Sequence, residues 1–148
     1  MKIAVLERNS VGTDIDVTCF EDFGEVTYYR NTVAADAAEK VKDVDIIIAN
    51  KAPMNEETLK DAPNVKLICE FATGFDNIDL EYCKKRRIKV ANVKDYSTAA
   101  VAQHTFALAL YLLEHLPHYD TYVKDGSYGA QDRFSNCLLY TSPSPRDA

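Results

Sequence analysis

One ten-residue segment concentrates the groups best suited to holding a small anion: Glu70-Phe-Ala-Thr-Gly-Phe-Asp-Asn-Ile-Asp79. Gly74 lets the backbone approach a ligand closely or take a positive φ, and amides in such a turn can point at a carboxylate. Asp76, Asn77 and Asp79 can close the turn and cap a following helix. Taken alone, the same residues also describe a plain strand-to-helix turn. The other chemistry-bearing residues point away from catalysis. His104 lies in an apolar stretch, where a buried, hydrogen-bonded histidine is expected rather than a catalytic one. His115 and His118 are separated by Pro117 among others and have no cysteine nearby, so they do not read as a metal pair. Lys84-Lys-Arg-Arg87 ends a helix-like stretch, where cations complement the helix dipole, and is not read as a nucleic-acid patch. Ser10-Val-Gly-Thr13 lacks a G-x-x-x-x-G-K-[ST] phosphate-loop pattern. Cys19, Cys69 and Cys83 form no CxxC pair and no metal-ligand spacing.

The elements that must position the 70–79 segment alternate along the chain. Apolar or strand-forming runs at Lys2–Leu6, Val26–Arg30, Asp45–Asn50, Lys66–Cys69 and Ile88–Ala91 predict five strands. Helix-like stretches fall between them at Ala34–Val41, Asn55–Asp61 and Asp79–Arg87, with a weaker one at Asp14–Asp22. Strands separated by crossovers imply a flavodoxin-like, doubly wound parallel five-stranded sheet, an α/β fold with helices on both faces. The candidate segment then lies at the carboxyl end of the fourth strand, the edge where such sheets bind ligands.

From Ser97 the pattern changes. Ser97 or Asp95 can cap a helix running to Leu113 whose apolar residues cover nearly its whole circumference. A helix of that kind is expected to be buried all round, so it reads as a long interdomain helix needing a second body to cover it. Pro117 opens a further short helix, and 126–136 reads as loop. The expected organisation is a substrate domain over 1–96, then the interdomain helix and the start of a truncated cofactor domain over 97–136, then a non-native tail over 137–148. That tail, Cys137 to Asp147 followed by Ala148, resembles the in-frame translation of a sequencing adapter and is set aside from fold reasoning.

The 148 residues carry 47% hydrophobic and 27% charged side chains, a globular mixture, with 17 basic and 23 acidic residues giving a net charge of −6. An acidic chain without a long basic run is a poor partner for nucleic-acid phosphates. The longest apolar stretch falls short of the roughly 20 residues a membrane-spanning helix needs. The apolar run at the N-terminus ends at Glu7, too early for a signal-peptide core. A cytoplasmic location with reduced thiols is therefore expected.

Three ordered blocks, Ala72–Asp79 (ATGFDNID), Ile88–Val93 (IKVANV) and Asp95–Leu110 (DYSTAAVAQHTFALAL), resemble the NAD-dependent D-isomer-specific 2-hydroxyacid dehydrogenases. The resemblance covers about residues 1–136. It implies that backbone amides of Ala72, Thr73, Gly74 and Phe75 hold a substrate carboxylate, and that Thr73 also reaches the cofactor. It further implies that Asn50 and Lys51 line the same cleft, with Lys51 a charge partner for the carboxylate. Tyr96, at the domain crossing, is expected to touch substrate. The implied reaction interconverts 2-hydroxy and 2-keto acids with NAD(H), in a homodimeric parent protein. None of the five glycines forms a G-x-G-x-x-G fingerprint, and the family's catalytic arginine, glutamate and histidine match no residue here. No catalytic residue is therefore assigned, and the chain alone is expected to be inactive. Two other readings fit the sheet: a stand-alone flavodoxin-like binding module, and a non-catalytic, corepressor-like relative of the dehydrogenases.

Overall fold

A computed structural model describes residues 1–131; the expected end of the loop at 132–136 and the tail at 137–148 lie outside the described residues. The chain forms two compact units that divide between Tyr96 and Ser97.

The first unit is a five-stranded sheet with order β2-β1-β3-β4-β5, every neighbouring pair parallel. The strands are β1 (Lys2–Val5), β2 (Glu25–Tyr28), β3 (Ile46–Ala49), β4 (Leu67–Glu70) and β5 (Lys89–Ala91). Between them lie α1 (Ala34–Val41), α2 (Glu56–Leu59) and α3 (Leu80–Arg86). This is the flavodoxin-like doubly wound order, and all five expected strands form. The capping residues explain the helix starts. Asn55 accepts from the Thr58 N–H at 3.1 Å and Asp79 from the Tyr82 N–H at 2.9 Å, as expected of short polar residues ahead of a helix. Arg87 ends α3 in the left-handed conformation, φ 59°.

Topology decides which face is covered. The crossovers through α1, α2 and α3 all step across the sheet in one direction, so the right-handed rule places them on one face. Val41, Leu59 and Cys83 of these helices share a buried cluster with Ala4, Ile47, Ala49 and Ile68 of the strands and with Leu6 just beyond β1. The β1–β2 connection steps the other way and covers the opposite face. It holds two short 3-10 turns, Arg8–Val11 and Thr18–Phe23, where the sequence suggested a helix over Asp14–Asp22. Asp16 imposes the later start: its Oδ1 accepts from both the N–H and the hydroxyl of Thr18, at 2.8 and 2.7 Å. The turn ends at Gly24, where a Cβ would collide with the carbonyl of Met1. This second face therefore buries only Ile3, Val5 and Ile48 fully. It keeps an apolar groove of about 420 Å³ lined by residues that include Phe20, Phe23, Leu67 and Phe71.

The second unit contains α4 (Thr98–Leu113) and α5 (Leu116–Lys124), joined through His115 at φ 50°. Pro117 stands in the first turn of α5, where its fixed φ suits a helix start. The His118 ring stacks on Tyr122 at 5.8 Å, and Lys124 pairs with Asp120 at 2.7 Å. Two expectations are corrected here. Ser97 takes the N-cap position without a side-chain capping bond, and no residue of α4 is buried. His104 is exposed and not the buried histidine its apolar neighbours suggested, because its own unit does not enclose the helix. No helix among the described residues is long and apolar enough to cross a membrane.

Candidate functional site

The carboxyl ends of β1, β3, β4 and β5 meet at one edge of the sheet. β3 and β4 run in register to Ala49 opposite Glu70, and the Phe71 N–H continues the ladder by donating to Ala49 O at 2.8 Å. The segments that follow, Asn50–Lys51 and Ala72–Phe75, therefore leave the sheet side by side.

The Ala72–Phe75 turn is fastened to the chain leaving β5. The Thr73 hydroxyl donates to Val93 O at 2.8 Å, Asn92 Nδ2 donates to Thr73 O at 2.8 Å, and the Val93 N–H donates to Ala72 O at 3.1 Å. These bonds occupy the oxygens. The N–H groups of Ala72, Thr73, Gly74 and Phe75 donate to none of the described residues. Thr73, Gly74 and Phe75 are exposed and Ala72 is half-buried. Such a run of unpaired amides is suited to an oxyanion. Gly74 does not use a positive φ; a Cβ there would meet only Asp76 Oδ2, at 3.8 Å. What the glycine provides is open space beside the amides.

Asn50 and Lys51 stand differently. Their backbone N–H groups are consumed by the Glu7 carboxylate, at 2.7 Å to Asn50 N and 3.0 Å to Lys51 N. Only their side chains face outward, and neither makes a hydrogen bond or ion pair to the described residues. Thr73 keeps acceptor capacity on its hydroxyl, but the proton is committed to Val93. Tyr96 is the last residue of the first unit, 64% exposed, and no hydrogen bond ties it to the turn.

Glu7 and Glu70, which the sequence did not single out, hold this edge together with Asn77, which the sequence marked only as a turn residue. Glu7 is 7% exposed and Glu70 2%. Asn77 Nδ2 donates both to Ala52 O at 3.0 Å and to Glu70 Oε2 at 3.2 Å. The backbone of Asn77 accepts from Met54 N at 2.8 Å, and Asp79 N donates to Met54 O at 2.9 Å. Burial pushes the Glu70 carboxyl up to about 7, the hydrogen bond from Asn77 opposes that rise, and the charge of Glu7 adds to it. The signal in the sequence was an acidic residue closing each of two otherwise apolar strands, Leu6-Glu7 and Cys69-Glu70.

The chain matches the family model of the D-isomer-specific 2-hydroxyacid dehydrogenase catalytic domain over residues 3–142. The chain belongs to this family. It is 34% identical to a hydroxypyruvate reductase of Blautia hydrogenotrophica over 132 residues, 86% of this chain and 41% of that protein. It is 37% identical to a glyoxylate reductase of Pyrococcus furiosus over 91 residues, 61% of this chain and 27% of that one. Among solved structures, D-lactate dehydrogenase of Aquifex aeolicus, a complex with NAD and lactic acid, superimposes with a TM-score of 0.70 at 29% identity. That superposition covers 93% of this chain and 39% of the other. The 2-hydroxyacid dehydrogenase chain described here thus spans about two fifths of the length of such relatives.

Among the described residues, the exit of β1 does not build a dinucleotide site. Such a site needs a glycine-rich turn running from a strand straight into a helix N-terminus. Here β1 leads into a 3-10 turn, with the buried Glu7 carboxylate at the strand end.

Proposed function

We propose that this chain supplies the substrate-binding side of an oxidoreductase that interconverts small 2-hydroxy and 2-keto acids with NAD(H). The observation that carries the reading is the run of unpaired amides from Ala72 to Phe75, beside Lys51, at the carboxyl edge of the sheet. An incoming carboxylate accepts from those amides, and the Lys51 ammonium adds a mobile positive charge. Asn50 lines the same edge, Tyr96 approaches from the end of the unit, and Thr73 offers a hydroxyl oxygen toward the cofactor. NADH supplies the hydride for reduction and NAD accepts it in the reverse direction, with Thr73 the residue of this chain set toward the cofactor. Family membership supports the reaction class, and the names of the relatives favour hydroxypyruvate or glyoxylate as the keto acid. The whole protein is taken to be a cytosolic homodimer. The free thiols of Cys19, Cys69 and Cys83 and the apolar surface of α4 support that reading.

The test is a pair of NADH-oxidation assays with hydroxypyruvate. The 148-residue chain alone gives no turnover. A fusion to the remaining three fifths of the Blautia hydroxypyruvate reductase turns over. A folded fusion inactive toward hydroxypyruvate, glyoxylate and pyruvate contradicts the proposal.

A further inference from the structure

We propose that Glu70 is a positioning residue that, through Asn77, holds the Asn50–Ala52 and Ala72–Phe75 segments in one register. That these segments form a substrate cradle rests on the function proposed above; their coupling through Glu70 does not.

The geometry is that of a hub. Glu70 is the last residue of β4, so its backbone leads directly into the Phe71–Phe75 turn. Its side chain points with Ile68 toward the helix-covered face, as the alternation of burial along β4 shows. There Oε2 accepts from Asn77, whose other amide hydrogen goes to Ala52 O. One carboxyl and one carboxamide thus span the exits of two neighbouring strands. Glu7 clamps the same Asn50–Lys51 stretch from the β1 side. The two carboxyls therefore grip one loop from opposite ends.

Glu70 Oε1 is buried and has no hydrogen-bond partner among the described residues. An ionised carboxylate in that position leaves a charged oxygen unsatisfied, whereas a neutral acid places its uncharged half there. The charged group that acts on Glu70 is Glu7, a like charge, and no cation among the described residues compensates it. Glu7 in turn accepts from the backbone N–H groups of Asn50 and Lys51. The pair divides its roles: Glu7 clamps the loop amides directly, and Glu70 is the hub that reaches the loop through Asn77. Ionising Glu70 sets a second negative charge under the loop that Glu7 already holds. The loop and the turn then shift together.

The test follows backbone amide and side-chain carboxyl NMR signals of the 148-residue chain between pH 5.5 and 8.5. In the wild type, the amides of Asn50, Lys51 and Ala72–Phe75 move together, with the midpoint of the Glu70 carboxyl carbon. In Glu70→Gln, a neutral side chain that still accepts from Asn77, these signals keep their low-pH positions throughout the range. In Asn77→Ala, the Asn50–Lys51 signals no longer follow Glu70. Two results overturn the proposal: the two segments titrating independently of Glu70, or Glu70→Gln retaining the wild-type pH dependence. Pyruvate added in a second titration separates the two claims. Coupled titration without any pyruvate shift upholds the hub and removes the cradle. A pyruvate shift without coupling does the reverse.

Discussion

The two units of the chain treat apolar residues in opposite ways. Every buried hydrophobic residue among those described lies between Ile3 and Ile88, in the first unit. In α4, the most continuously apolar helix of the chain, Val101, Phe106, Leu112 and Leu113 are each more than 60% exposed. The difference teaches that apolar periodicity states how much burial an element demands, while topology decides whether the covering element is in hand. Strands β1, β3 and β4 find theirs because three right-handed crossovers return helices to the same face. Within its own unit α4 has no such cover, and the second face of the sheet is left with two short 3-10 turns over it.

Substitutions in the two units should expose this contrast most strongly. Ile68→Ala, at a fully buried position, is expected to lower the unfolding free energy by about 3–4 kcal/mol in urea denaturation. Leu112→Ala, at a position 70% exposed, is expected to change it by less than about 0.5 kcal/mol. Equal losses at the two positions would mean that α4 is as well packed in solution as the sheet.

The next effect belongs to the sheet edge and appears as a pH dependence. Glu70 has its carboxyl raised from 4.5 to about 7 in the folded chain. Between those values the unfolded chain has released the proton and the folded chain still holds it. Stability therefore falls as pH rises from about 4.5 to about 7 and levels off above. The full span is at most roughly 3 kcal/mol. Glu70→Gln removes this contribution, so the variant should gain on the wild type at pH 8 and match it near pH 4.5. Denaturation midpoints at the two pH values measure it. An equal difference at both pH values would show that Glu70 does not titrate there.

Helix caps give the smallest contrast. Asp79 accepts from the Tyr82 N–H, so Asp79→Ala should cost about 1 kcal/mol. Ser97 makes no capping bond, so Ser97→Ala should be near neutral. Thermal denaturation of both variants sharpens the comparison; a loss at Ser97 matching that at Asp79 would break it.

The parts of this architecture that the sequence made legible are those set by local pattern. β-branched runs marked the strands, and Asn55 and Asp79 marked the starts of α2 and α3. The same strand pattern placed the Ala72–Phe75 turn at the carboxyl end of β4. What escaped was non-local. Nothing near Glu7 in sequence indicates that its carboxylate grips amides more than forty residues away. Asn77 reads as a turn residue, and its bond to Ala52 depends on β3 and β4 being neighbours. The buried setting expected for His104 failed for the same reason: a helix sequence records its need for cover but not where the cover comes from. The open sheet face was hidden because a helix-like stretch at Asp14–Asp22 promised more cover than the 3-10 turn delivers.

The central claim, that the amides at the end of β4 are a carboxylate cradle, is tested most directly by titrating hydroxypyruvate into the 148-residue chain at pH 6 and following amide NMR shifts. Saturable shifts are expected at Ala72, Thr73, Gly74 and Phe75, weakened in Lys51→Met. Saturable shifts elsewhere with those four amides unmoved would contradict it.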